Sequence, residues 1–191
     1  PDSAPKIEKN SAKLEAGKKL WGEVVKAMGG ETLKKAEAVQ STMSIGLSMG
    51  GQSFSMKQTA TIVFPDKVRQ VMSLPMGEQT MVINGNESFA RMGDKVEPLP
   101  ANLAAEQKKE QGRNLLYLLH YHDDAELELV ADKEEAVGGV NCRILATEFK
   151  GVESRMWIAP DGKVLKQTYQ GINPITRTPG TVEAVYSDYR Q

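Results

Sequence analysis

His120, His122, Asp123 and Asp124 form the cluster whose side chain types could ligate a metal ion. A His-x-His pair presents both imidazoles on one face of a strand but splays them by about 200° on a helix, so such a site depends on where the preceding helix ends. A helix terminus followed by a solvated turn accounts for the same four residues, and no metal or other cofactor is expected. Cys142 is the sole cysteine, which excludes an internal disulfide and a CxxC redox or zinc site. It alternates with Val140, Ile144 and Ala146, the setting of an inert core thiol. The sequence contains no HExxH, HxxEH, GxSxG, P-loop or GxGxxG, so no enzymatic activity is expected of it. Acidic pairs such as Glu134-Glu135 read as surface turns, and Asn86-Glu87-Ser88 is a formal glycosylation sequon within a hairpin turn.

Methionine carries the remaining signal. Seven of the nine fall between Met43 and Met92, in segments whose alternation predicts strands with one inward face. Methionine is flexible and polarizable, and it suits surfaces that accept ligands of varied shape. One reading is an apolar cavity lined by Met43, Ile45, Leu47, Met56, Ile62, Met72, Leu74, Met81 and Ile83. The other is a plain core in which the same side chains meet two helices. Leu115, Leu116 and Leu119 close a leucine-rich segment that would act as a lid in the first case and as core in the second. Arg69 and Arg91 stand beside Met positions; pointing inward, either would hold the polar end of an apolar ligand or hydrogen-bond to a helix terminus, whereas facing solvent is the simpler arrangement.

These residues require particular elements to position them. Residues 1–10 carry two prolines and no periodicity and read as a linker or tail. From Ser11 to Met28 the residues Leu14, Gly17, Trp21, Val24 and Met28 recur at helical spacing, and Gly29-Gly30 supplies a left-handed stop. The period then falls to two. Val39–Met49 and Phe54–Phe64 form a hairpin around Gly50-Gly51, followed by strands at Val68–Leu74, Glu78–Ile83 and Ser88–Met92. Met76-Gly77 makes one of the turns between them, and Asn84-Gly85 is a strong two-residue hairpin signal. Pro98 and Pro100 interrupt the sheet, and Ala101–His120 has helix-forming composition. Strands resume at Glu126–Ala131, Val140–Phe149, Ser154–Ala159, Val164–Gln170 and Thr181–Tyr189. About ten strands, two main helices and no βαβ rhythm predict an α+β fold, a curved antiparallel β-sheet wrapped around an N-terminal and a mid-chain helix, with residues 11–191 as a single domain.

The bulk composition agrees. Of 191 residues, 40% are apolar and 26% charged, ordinary values for a globular chain. A net charge of -1 provides no field to attract a phosphate backbone, so nucleic acid is not expected as a partner. No apolar run is long enough to span a membrane, and a soluble, monomeric protein is expected. The chain begins Pro1-Asp2-Ser3 without an initiator Met, which suggests a trimmed product or a fragment.

The layout resembles the bacterial lipoprotein carrier family of the Lol system, LolA and LolB. The segments that carry the likeness are Ile62-Val63-Phe64-Pro65-Asp66-Lys67-Val68-Arg69-Gln70, Trp157-Ile158-Ala159-Pro160-Asp161-Gly162 and Tyr186-Ser187-Asp188-Tyr189-Arg190. Similar segments occur in non-catalytic domains that accompany zinc peptidase-like modules of the M16 group. The resemblance implies an open half-barrel covered by helices, a lipid or lipoprotein acyl chain as ligand, and a periplasmic or secreted location. A second possibility is an accessory domain of a secreted peptidase-like protein, partnered by its parent module or by other periplasmic proteins.

Overall fold

The computed structural model describes residues 9–49, 52–74, 77–172 and 179–189; of residues 45–49, 52–56, 74 and 172 it describes the backbone alone. The turns anticipated at Gly50-Gly51 and at Met76 lie outside the described residues. The chain divides into two compact units, one made of Pro1–Lys35 with Glu106–Gln191 and the other of Ala36–Ala105.

The first unit opens with helix α1 (Ser11–Ala27), where the Asn10 side chain accepts a hydrogen bond from the Lys13 amide at 3.0 Å. Gly29 takes the left-handed conformation expected of the stop, with φ 70°, and a one-turn helix α2 (Gly30–Leu33) follows. After helix α3 (Ala101–Arg113), which belongs to this unit from Glu106 onward, and helix α4 (Leu115–His120) come β7 (Glu128–Val137), β8 (Val140–Phe149), β9 (Val152–Ile158), β10 (Val164–Ile172) and β11 (Pro179–Val185). These strands form an antiparallel sheet in the order β11-β10-β9-β8-β7. The buried stripe of α1, Leu20, Trp21, Val24 and Val25, packs with Leu118 of α4 and with Leu129, Leu145, Phe149 and Met156 of the sheet. Gly17 sets the closeness of that packing, because a Cβ there would lie 2.4 Å from the Leu129 carbonyl oxygen.

The second unit is a six-stranded antiparallel meander in the order β1-β2-β3-β4-β5-β6. Its strands are β1 (Ala38–Met49), β2 (Gln52–Val63), β3 (Lys67–Leu74), β4 (Gly77–Asn84), β5 (Glu87–Met92) and β6 (Lys95–Pro98). From β1 to β5 the register runs without a bulge, so the period-two parity set at Val39 continues across five strands. Neither sheet closes on itself.

The α+β, antiparallel class expected from the sequence is therefore the class observed, with the strands shared between two sheets. Two local differences have physical causes. The helix expected over Ala101–His120 is broken at Asn114, which takes an extended conformation (φ -65°, ψ 128°) and caps the next helix by accepting a hydrogen bond from the Leu116 amide. Strand β6 was not anticipated because of Pro98; that proline sits on an edge strand, where its missing N–H leaves no ladder bond unmade.

Candidate functional site

The unbroken register of the second unit decides which residues share a face. One cross-strand row consists of Val39, Ile62, Val68, Ile83 and Ser88. The next is Ser41, Ala60, Gln70, Met81 and Ala90, and a third is Met43, Gln58, Met72, Gln79 and Met92. Further along the first hairpin, Ile45 pairs with Met56 and Leu47 with Phe54, at positions of the same parity. Leu74, two residues beyond Met72, also keeps it. All nine strand residues singled out from the sequence thus occupy a single parity of one sheet.

Burial grades along these rows. Ala60, Ile62, Val68 and Ile83 are buried, whereas Met72 and Met81 are half-buried. Met43 is 44% exposed and Met92 55%. The apolar face thus passes from a buried row to a methionine row open to water. An exposed methionine gives up little stability when replaced, so these outer positions contribute little to packing.

The opposite parity carries the charged residues of β1 to β5 and several hydroxyls, interspersed with Val63, Val71, Val82 and Phe89. Gln40 donates through Nε2 to Thr61 Oγ1 at 3.2 Å, and the Thr42 and Thr59 hydroxyls lie 3.3 Å apart. Arg69 and Arg91 belong to this parity and are exposed, and Arg91 Nε donates to the Gly93 carbonyl at 2.9 Å. Neither guanidinium is placed on the methionine face. The solvent-facing arrangement is the one found.

The leucines of α4 are placed in the other unit. Leu115 and Leu119 are buried in the core formed with α1 and the five-stranded sheet, and Leu116 is half-buried. By backbone register the nine strand residues share one parity of the six-stranded sheet, and these three leucines belong to the other unit. Sequence reasoning passed over Gln58, Gln70 and Gln79, which lie on the same parity as the methionines. Counting apolar residues hid them, although continuing the alternation from Val68 and Ile83 would have found Gln70 and Gln79.

The histidine cluster has a structural setting. His120 Nδ1 lies 2.9 Å from the Leu33 carbonyl, Lys34 pairs with Asp123, and the Asp124 carboxylate accepts from the Glu126 amide at 2.9 Å. His122 is 10% exposed, with Nε2 3.4 Å from a Glu31 carboxylate oxygen. These contacts tie α2 to the turn after α4. A cleft of about 750 Å³ opens beside them, with Trp21, Val25, Leu127 and His122 among its walls. The Trp21 indole nitrogen donates to the His122 carbonyl at 3.2 Å.

The chain is thus an α+β protein with two open antiparallel sheets, one of which carries methionines along a single parity. In its fold it is similar to a LolA-superfamily protein from Nitrosomonas europaea, at 6% identity and a TM-score of 0.55, over 92% of this chain and 79% of that one. An outer membrane lipoprotein-sorting protein domain from Vibrio parahaemolyticus matches at 12% identity and a TM-score of 0.52, over 93% and 80%. A DUF1329 family protein from Desulfovibrio piger matches at 14% identity and a TM-score of 0.50, over 83% and 74%. The chain has the LolA-like fold. No protein-family model matches it, and no curated protein matches it in sequence.

Proposed function

We propose that this protein is a non-catalytic carrier that binds acyl chains of a lipid or lipoprotein in the bacterial periplasm, and that residues 11–191 act as one LolA-like domain. The observation that carries the reading is the methionine face of the six-stranded sheet, with Ile62 and Ile83 as its buried floor and Met43, Met72 and Met81 grading outward. An aliphatic chain laid along the outer methionines Met43, Met72, Met81 and Met92 would remove their remaining apolar area from water at about 25 cal/mol per Å², and methionine side chains adjust to its contour. The likeness to a domain named for outer membrane lipoprotein sorting supports both the ligand class and the envelope location.

Met43→Glu and Met92→Glu test the reading without endangering the fold, because both side chains are already partly in water. A fluorescent acyl probe should bind the wild-type chain and lose about tenfold or more in affinity in each variant, with unchanged far-UV circular dichroism. Wild-type affinity in both variants would mean that the ligand, if any, sits elsewhere.

A further inference from the structure

Charge is segregated by parity in the six-stranded sheet. The sequence has no charged residue between Glu37 and Lys57. Strands β1 to β5 contain Lys57, Lys67, Arg69, Glu78, Glu87 and Arg91, and the register assigns every one of them to the parity opposite the methionines. On the methionine parity charges occur only in the edge strand β6, as Lys95 and Glu97, both exposed. In place of charge this face has three half-buried carboxamides, Gln58, Gln70 and Gln79. Gln58 and Gln79 alternate with Met43, Met72 and Met92 in one cross-strand row, and Gln70 stands between Ala60 and Met81 in the next.

This pattern bears on the head of the ligand. A carboxylate held among Gln58, Gln70 and Gln79 on β2 to β4 would lose water without gaining a cation there, since Lys95, in the same row, stands two strands away beside Met92; that penalty weakens binding of the ionised form. A carboxamide offers two N–H donors and a carbonyl acceptor, which match an ester carbonyl and a neighbouring hydroxyl without requiring charge. Resting on the carrier reading above, we infer that the ligand of this face is an acyl chain joined by an ester to an uncharged head, and that Gln58, Gln70 and Gln79 select it over a free fatty acid.

Two probes with one chain test this on the full protein: dansyl-undecanoic acid and its methyl ester, titrated by fluorescence at pH 8. The ester should bind about tenfold tighter or better. Gln79→Lys supplies the missing cation and should shrink or reverse that gap, whereas Gln79→Met, close in volume, should lower ester affinity and leave the acid weak. Acid binding as tight as ester binding, or a gap untouched by Gln79→Lys, overturns the selectivity and leaves the carrier reading in place. If neither probe binds the wild-type protein, the carrier reading fails and the selectivity fails with it.

Discussion

Arg113 is 2% exposed, yet its charge is well satisfied: it pairs with Glu110 and Glu106, donates through Nη1 to the Gln170 carbonyl at 2.9 Å, and lies 4.1 Å from the Tyr169 ring centroid. Gln167 beside it is buried and three-handed. Its Nε2 donates to the Arg113 carbonyl at 2.7 Å and to Ser154 Oγ at 3.1 Å, while its Oε1 accepts from the Tyr186 hydroxyl at 2.9 Å. Gln167→Leu keeps the approximate volume but strips partners from the Tyr186 hydroxyl and the Arg113 carbonyl. It should cost about 2–3 kcal/mol in a urea titration, since leaving buried polar groups unmatched costs more than the lost bond itself. A loss below about 0.5 kcal/mol would show that water replaces the amide. None of this network was legible in the sequence, because its members come from a helix, two strands and a tail, and the contacts of Gln167 to Arg113, Ser154 and Tyr186 span 54, 13 and 19 residues. The methionine face was legible, because one local rule, alternation, orders it. The three glutamines on that face were missed for the converse reason: only their parity, not their residue type, marks them as neighbours of a ligand.

At the scale of elements, helix ends and turns were the most readable features. Asn10 and Gly29 act locally, and each does in the structure what its residue type favours, whereas the hairpin expected at Asn84-Gly85 turns one residue later: Asn84 ends β4 paired with Glu87, and Gly85, at φ 61°, and Asn86 are its loop residues. The break at Asn114 was readable in principle as an N-cap before a leucine run, but a continuous helix-forming composition masked it. Close approach between elements was not readable at all. Gly17 looks like a small member of an apolar stripe, whereas the structure shows α1 resting on the backbone of β7. Three atoms of that backbone lie within 3.0 Å of where an added Cβ would sit, at 2.4, 2.7 and 2.9 Å, and none belongs to a flexible side chain. Gly17→Ala should therefore destabilise the protein by about 2 kcal/mol despite its better helix propensity, because the helix must lift from the strand. A thermal melt that shows stabilisation instead would mean that α1 slides without loss of packing.

Across the whole molecule the two units differ in what they can report. Both tryptophans and all five tyrosines fall outside Ala36–Ala105, so intrinsic fluorescence and alkaline titration of phenols read the unit that contains the five-stranded sheet. Burial pushes the phenol of Tyr169 up to about 12, reinforced by the charge of Glu110, and burial likewise pushes Tyr189 up to about 12. Tyr186, which donates to Gln167, is raised further for the same reason. A tyrosine in the unfolded chain ionises near pH 10. Below that pH both states hold the proton and the stability contributed by these phenols is intact. Above it the unfolded chain sheds protons that the folded chain retains, so stability falls as pH rises through about 12. The urea midpoint followed by tryptophan fluorescence should accordingly hold steady from pH 8 to about 9.5 and drop beyond pH 10. Tyr169→Phe keeps the ring beneath Arg113 and removes one ionisable group, so it should make that alkaline drop shallower; an identical drop in the variant would take Tyr169 out of the account and leave the loss to Tyr186, Tyr189 and the lysines.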